Sequence, residues 1–318
     1  MHCDPNRVLV VSGSQQAIDL VARLLLDRGD AVALEDPGYL GARQAFLAQG
    51  AALYPVPVDE SGIVVEVLAK ATLPVKLVYV TPSHQFPTGA VLSLSRRLEL
   101  LAWAQKTGTL IVEDDYDSEY RYGESPIPAL QELDGSVIYV GTFSKVLFPA
   151  LRVGYLVLPP DLVRVFCHAK WLVDRQSPLL KQYVLTDFIT EGHLERHIRR
   201  MRNLYDRRRQ SLVRPLAQYL PHQVKILGEN AGIHIMIQIS AALSDEEVLH
   251  RAARLGVGLT AANAYYLGGS KGQFVLGYAE LNEKQIEEGI YKLSQALIEN
   301  IDLTEQKTKI SSLSRTQP

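Results

Sequence analysis

An apolar run, Val137 to Val140, gives way to Gly141-Thr142-Phe143-Ser144-Lys145, so one lysine stands where a buried strand would end. An amine in that place is either a solvated surface charge or a nucleophile, and its neighbours decide which. Two hydroxyls, on Thr142 and Ser144, precede it. Arg152 follows Pro149, and an arginine so placed can clamp a phosphate through two parallel hydrogen bonds. Upstream, Leu110-Ile111-Val112-Glu113-Asp114-Asp115-Tyr116 runs from apolar into acidic. Strand alternation puts Asp114 and Tyr116 on the same face, where both can approach one ligand. A carboxylate facing a pyridine nitrogen keeps it protonated, which lets the ring accept the electrons of a carbanion, and a phenol can hydrogen-bond the ring oxygen. Amine, carboxylate, phenol and phosphate clamp together predict an aldimine site for pyridoxal phosphate, with Lys145 condensing with the aldehyde.

Two further motifs point to the same ligand. Val8-Leu9-Val10-Val11-Ser12-Gly13-Ser14-Gln15-Gln16-Ala17 reads as strand, glycine turn and helix start, so free N–H groups and the positive end of a helix dipole converge near Ser14 and Gln15. A plain helix cap is the alternative. In Asp36-Pro37-Gly38-Tyr39 the turn swings Tyr39 over the carboxyl edge of the sheet, where its ring could stack on a planar cofactor; a tyrosine merely buried in a tight turn is the alternative.

Rival chemistries are weaker. Glu35 and Asp36 stand where the ribose carboxylate of a dinucleotide site would, but Gly13 is the single glycine of the first turn and such sites need three. Glu113, Asp114, Asp115 and Asp117 offer oxygens to a divalent metal, yet no second carboxylate cluster or histidine pairing supports one. His193 and His197 lack a metalloprotease order, and Gly13-Ser14 is no GxSxG elbow. The basic run Arg196, Arg199, Arg200, Arg202, Arg207, Arg208 and Arg209 interleaves with Leu194, Ile198, Met201 and Tyr205, the pattern of an amphipathic helix with a charged outer face.

The elements that must position these groups alternate. Apolar runs at Val8 to Val11, Ala31 to Leu34, Leu77 to Val80, Leu110 to Val112, Val137 to Val140 and Val153 to Leu158 lie between segments of helical period, including Gln15 to Asp27 and Ser95 to Lys106, both expected to be well capped. That is the pattern of a parallel sheet with crossover helices. Long helices, Pro178 to Thr190 and Glu191 to Ala217, strand-like Val224 to Leu227 and Ile233 to Ile239, and helices Asp245 to Leu255 and Asn282 to Glu299 follow. The predicted organisation is a large α/β domain over 1–175, linking helices and a smaller α+β domain over 176–302, and a disordered tail over 303–318.

With 318 residues, 47% of them hydrophobic, the chain can bury a sizeable core. The near balance of 33 basic and 35 acidic residues predicts no global attraction to nucleic acid or anionic membrane. Cys3 and Cys167 form no disulfide framework or zinc spacing, and no apolar run reaches the roughly 18 residues of a membrane span. The expected compartment is the cytoplasm.

Five ordered motifs resemble a known family: Ser12 to Ala17, Glu35 to Tyr39, Thr81-Pro82-Ser83-His84-Gln85-Phe86-Pro87-Thr88-Gly89, Glu113 to Glu119 and Gly141 to Lys145. They resemble the fold-type I pyridoxal-phosphate enzymes, the class I/II aminotransferases, and more closely the aminotransferase-like domain of MocR-type regulators in the GntR superfamily. The resemblance implies a mostly parallel central sheet with flanking helices plus a smaller C-terminal α+β domain. It makes Lys145 the Schiff-base lysine, Asp114 the pyridine-nitrogen partner, Tyr116 the ring-oxygen partner and Tyr39 the stacking residue. Gly13, Ser14, Gln15, Thr142 and Arg152 become the phosphate cup. It implies a homodimer acting on a small amine or amino acid. The first strand corresponds to a point inside the family's large domain, so a truncated chain is expected, without the winged helix-turn-helix or the amino-terminal arm, and with no DNA binding of its own. Two positions depart: Phe86 replaces an asparagine, as is common in the MocR type, and Val275 stands where many aminotransferases hold an arginine for the substrate carboxylate. The expected function is amino-group transfer through a Lys145 aldimine, or effector sensing without turnover.

Overall fold

The computed structural model describes residues 3–123, 127–240 and 243–298. Its larger sheet contains β1 (Val8–Val11), β2 (Ala31–Asp36), β3 (Ala52–Asp59), β4 (Gly62–Ile63), β5 (Val75–Val80), β6 (Leu110–Asp115), β7 (Ile138–Thr142) and β8 (Gly154–Val157), in the order β1-β8-β7-β6-β5-β2-β3-β4. Around it lie α1 (Ser14–Leu25), α2 (Leu40–Ala48), α3 (Val65–Leu68), α4 (Leu94–Thr107), α5 (Leu130–Leu133) and α6 (Pro160–Asp174). The strands β3, β2, β5, β6 and β7 are mutually parallel. A parallel strand covered on both faces carries apolar side chains at successive positions instead of alternating ones. In β5, accordingly, Leu77, Val78, Tyr79 and Val80 are all buried.

The sheet is mostly parallel, as expected, and departs from that at both margins: β4 runs antiparallel to β3, and β8 runs antiparallel to β1 as well as to β7. β7 and β8 pair Tyr139 with Val157 and Thr142 with Gly154. No crossover helix intervenes between them, and without one the chain can only double back. The reversal is the loop that carries Lys145 and Arg152. β3 lies outside the strands expected from sequence, because Pro55 and Pro57 lack the N–H a ladder needs; its outer neighbour β4 is only two residues long, so the prolines sit near an edge. α1 lacks the expected side-chain cap: its N-cap is Gly13 at φ 90°, with no capping hydrogen bond. Ser93, by contrast, caps α4, accepting from the Arg96 N–H. α6 occupies a stretch where the sequence reading places no element.

The second sheet, β11-β12-β10-β9, comprises β9 (Val224–Leu227), β10 (His234–Ile239), β11 (Thr260–Ala261) and β12 (Gln273–Gly277). It packs with α7 (Leu179–Thr190), α8 (His193–Tyr219), α9 (Asp245–Arg254) and α10 (Glu283–Ile298). Its core joins Tyr205, Leu212 and Leu216 of α8 to Ile235, Ile237, Phe274 and Ile290. The apolar stripe of α8 thus faces inward, while Arg199 and Arg200 are exposed. His193 bonds Glu191 and His197 bonds the Val146 carbonyl, so the two do not share a ligand. The predicted tail lies outside the described residues. No helix among the described residues is long and apolar enough to cross a membrane.

One buried cation braces the end of β6. Arg97, fully buried on α4, donates to the carbonyls of Leu92, Pro128 and Pro82 at 3.0, 3.1 and 2.9 Å and lies 3.6 Å from Glu113. The Glu113 carboxylate accepts the N–H groups of Leu130 and Gln131, each at 2.9 Å, and so caps α5. Arg97→Leu strands that carboxylate and should lower stability by about 3–5 kcal/mol in urea unfolding; a loss under about 1 kcal/mol contradicts this role.

Candidate active site

A cavity of about 990 Å³ opens at the carboxyl ends of β5, β6 and β7, lined there by Tyr79, Thr81, Asp114, Tyr116 and Thr142. Ligands of open α/β sheets bind on this edge, because loops leaving the strands spread apart and side chains there point into the gap. The reversal loop adds Ser144, Lys145 and Arg152, and α1 adds Ser14. Tyr39, Phe86 and His234 close the wall. Seven of the predicted site residues therefore meet in one cavity: Ser14, Tyr39, Asp114, Tyr116, Thr142, Lys145 and Arg152.

Gly13 and Gln15, the other two, stand behind this wall. A Cβ on Gly13 would lie 2.7 Å from a guanidinium nitrogen of Arg152, so glycine lets the arginine pass. The same Arg152 nitrogen donates to the Ser12 carbonyl at 3.0 Å, which holds the guanidinium beside the start of α1. Helix starts leave N–H groups without intrahelical acceptors, so the Arg152 charge and the α1 terminus together favour an anion. Gln15 holds Tyr39: its amide donates to the Gly41 carbonyl at 3.0 Å and its oxygen accepts the Tyr39 hydroxyl at 3.2 Å. Tyr39 in turn meets Phe86 edge to face at 6.1 Å.

Asp114 is buried, with one oxygen accepting the Tyr79 hydroxyl at 2.5 Å. Among the described residues, its Oδ1 and the Ser144 hydroxyl are buried without a hydrogen-bond partner. Burial pushes the Asp114 carboxyl up to about 7; the Tyr79 bond opposes that and the nearby Asp115 and Asp117 carboxylates add to it. Tyr116 donates its hydroxyl to the His84 carbonyl at 2.8 Å and also lies 3.1 Å from His84 Nδ1. Burial raises this phenol well above its ordinary value, so it stays protonated.

The rival sites dissolve in the geometry. Glu113 caps α5 and Asp115 accepts from Tyr139 at 2.8 Å, so the acidic run diverges; Asp117 pairs with His84 at 2.9 Å and lies near His234, a histidine pairing that the sequence reading does not find. Glu35 is buried and tied to Thr81 and Gln85, and Asp36 accepts the Leu267 N–H; neither carboxylate lines the cavity. Tyr79 and His234 escape a sequence reading because a tyrosine or histidine in an apolar strand looks like core, and His84, in the loop after β5, has no sequence neighbour that reveals its partners.

The class I and II aminotransferase model matches residues 1–293. The chain belongs to that family. Among its relatives, the probable rhizopine catabolism regulatory protein MocR of Rhizobium meliloti is 39% identical over 94% of this chain and 61% of its own length. The 2-aminoadipate transaminase of Thermus thermophilus is 35% identical over 92% of this chain and 76% of its own. The structure of LysN, an α-aminoadipate aminotransferase from Thermus thermophilus, superimposes with a TM-score of 0.88 at 34% identity, covering 94% of this chain and 79% of that one, and holds N-(5'-phosphopyridoxyl)-L-leucine. The kynurenine aminotransferase of Pyrococcus horikoshii gives a TM-score of 0.87 at 33% identity, over 92% of this chain and 75% of that one. The chain spans about three-fifths of the MocR relative's length, and 63% and 64% of two Bacillus subtilis regulators it also matches. The family's architecture is the mostly parallel sheet described above, and its cofactor is pyridoxal 5'-phosphate.

The raised Asp114 carboxyl has a pH signature in the cofactor-free protein. A proton bound in the folded state and lost in the unfolded one makes stability fall as pH rises from about 4 through about 7. Asp114→Asn should therefore gain on the wild type across that interval, by on the order of 2–4 kcal/mol, in thermal or urea unfolding at a series of pH values. A pH-independent difference contradicts the assignment.

Proposed function

We propose that this chain holds pyridoxal 5'-phosphate in the cavity at the carboxyl ends of β5, β6 and β7 and transfers an amino group from a small amine or amino acid. The observation that carries this reading is the unpartnered Asp114 oxygen beside the same cavity as Lys145, with an anion cradle at the α1 start. A buried carboxylate with a free oxygen fits a protonated pyridine nitrogen, and a partnerless Ser144 hydroxyl in the loop that carries Arg152 fits a phosphate. When bound, the cofactor supplies an electron sink for the substrate carbon that bears the amine.

The remaining work falls to the chain. Asp114 keeps the ring nitrogen protonated, and Tyr79 holds Asp114 in place. Arg152, Ser144, Thr142 and the N–H groups of Ser14 and Gln15 grip the phosphate. Tyr116 hydrogen-bonds the ring oxygen, and Tyr39, fixed by Gln15, covers the ring. Lys145 anchors the cofactor and, through Nζ, takes and returns the proton at the amine-bearing carbon.

Val275, on the cavity wall where an arginine would grip a substrate carboxylate, favours a second reading. Without a bidentate fork an α-amino acid loses its strongest orienting contact. Together with the regulators among the relatives, this supports an effector-sensing domain that binds cofactor and amine without turnover. The two readings separate on incubation of the loaded protein with amino donors. Mass analysis of the released cofactor should show its amino form if the chain is a transferase. Donor binding without conversion favours the sensor, and a folded protein that takes up no cofactor overturns both.

A homodimer completes the proposal. Trp171 and Leu172 on α6 and Leu180, Tyr183 and Val184 on α7 are exposed apolar side chains, with Leu172 and Leu180 each 76% exposed. Large apolar side chains left exposed along two consecutive helices favour an association surface. It adjoins the site, since Lys181 on α7 donates to the Leu151 carbonyl beside Arg152 at 3.0 Å. Leu180→Glu should shift sedimentation from dimer towards monomer; a wild type that sediments as a monomer contradicts the dimer.

A further inference from the structure

Behind Tyr116 lies a polar cluster that amino transfer, as described, does not use. His84 and Asp117 are each 1% exposed and His234 is 7% exposed. His84 Nδ1 meets an Asp117 oxygen at 2.9 Å and the Tyr116 hydroxyl at 3.1 Å. The His234 ring packs on the His84 ring at 4.6 Å between centroids, and its Nε2 lies 3.2 Å from the Pro87 carbonyl. Gly232, in the left-handed region at φ 75°, covers the pair so closely that a Cβ there would strike the His84 ring and lie 2.6 Å from Asp117.

Such a cluster is a poor way to fill a core. Burying a carboxylate and two imidazoles costs more than burying apolar side chains of the same size. Here His84 Nε2 and Asp117 Oδ1 are buried without a hydrogen-bond partner. The three side chains could present one atom each within 4.8 Å, but His84 Nδ1 and His234 Nε2 already have partners, which leaves a metal poorly served. The contact that gives the cluster a purpose is the one with Tyr116.

The hydrogen inventory defines that contact. Asp117 accepts, so His84 Nδ1 is the nitrogen that carries hydrogen. In this structure the phenol's single hydrogen goes to the His84 carbonyl at 2.8 Å, and its oxygen accepts a share of the Nδ1 hydrogen that Asp117 also takes. That O–H can turn from the carbonyl to a ring oxygen in the cavity while the Nδ1 contact holds the phenol oxygen. A phenol that accepts such a bond is a better donor for its own hydrogen, since linked hydrogen bonds polarise one another.

We infer that His84 and Asp117 are a positioning dyad for the Tyr116 hydroxyl, setting its place and its strength as a donor to the oxygen of a bound ring. The assignment rests on the reading of Tyr116 as the ring-oxygen partner. Asp117 acts on Tyr116 through His84, and none of its own atoms need touch cofactor. His234 packs as a neutral wall against the imidazole, its charged form disfavoured first by burial and then by the nearby His84.

A double-mutant cycle on cofactor affinity, joined to nitrogen-15 histidine spectra of the cofactor-free protein, tests this. Asp117→Asn keeps the shape, but its amide donates to Nδ1 and should drive the His84 hydrogen to Nε2. In the wild-type background that change should weaken pyridoxal phosphate binding about tenfold. In a Tyr116→Phe background it should have almost no further effect, because the group it acts through is gone. His84→Phe, which keeps a ring in the space, should behave as Asp117→Asn does. Losses that multiply across the cycle, or a wild-type His84 hydrogen on Nε2, overturn the dyad. A folded wild type that binds no pyridoxal phosphate overturns the proposed function and this assignment with it.

Discussion

Asp114 keeps a carboxylate almost out of water, 5% exposed, with one oxygen tied to Tyr79 and the other lacking a partner. A bare charge in that position is costly, and burial answers by pushing the carboxyl up to about 7. A cation arriving from the cavity reverses the balance: it supplies the missing hydrogen bond and favours the ionised form. Asp114 Oδ1 is thus placed to accept from one positively charged donor, and the surrounding strands fix its position. Tyr79 comes from β5 and Asp114 from β6, adjacent parallel strands whose ladder registers Tyr79 with Val112. Arg97 and Glu113 brace the same strand end from behind.

The opposite end of the cavity depends on a change in strand direction. Because β8 returns antiparallel to β7, the loop between them stays at the carboxyl edge and delivers Lys145 and Arg152 beside the α1 start. β1 in turn pairs with β8, so the strand that feeds the Gly13 turn and the strand that leaves the lysine loop are hydrogen-bonded neighbours. Close packing there leaves no room for side chains. A Cβ on Gly154 would lie 2.8 Å from the Gly141 carbonyl, and one on Gly13 would lie 2.7 Å from Arg152. Anion cradle and amine are therefore placed by one compact corner of the sheet.

Much of this is legible in the sequence because it is local. Alternation along β6 places Asp114 and Tyr116 on one face, and both line the cavity. The run into Lys145 ends as a strand at Thr142, and the glycine turn before Ser14 opens a helix. What escapes depends on distant partners or on edges. Tyr79 looks like any apolar strand residue until Asp114, thirty-five positions away, accepts its hydroxyl. His84 and His234 come together only when the second sheet reaches the first. Periodicity does not report strand direction, so β8 reads as one more parallel strand, and two prolines hide β3 because its place beside the two-residue edge strand β4 is a property of the sheet. Gln15 illustrates a finer limit: it sits where backbone N–H groups converge, while its side chain is spent on Tyr39.

The central claim is that one amine and one carboxylate share a single cofactor-sized cavity and grip one ring between them. Its most direct test is borohydride reduction of the folded protein after incubation with pyridoxal phosphate, followed by peptide mapping. A single phosphopyridoxyl label, carried by Lys145, is the predicted result. A label spread over surface lysines, or one that survives in equal yield in Lys145→Ala, contradicts it.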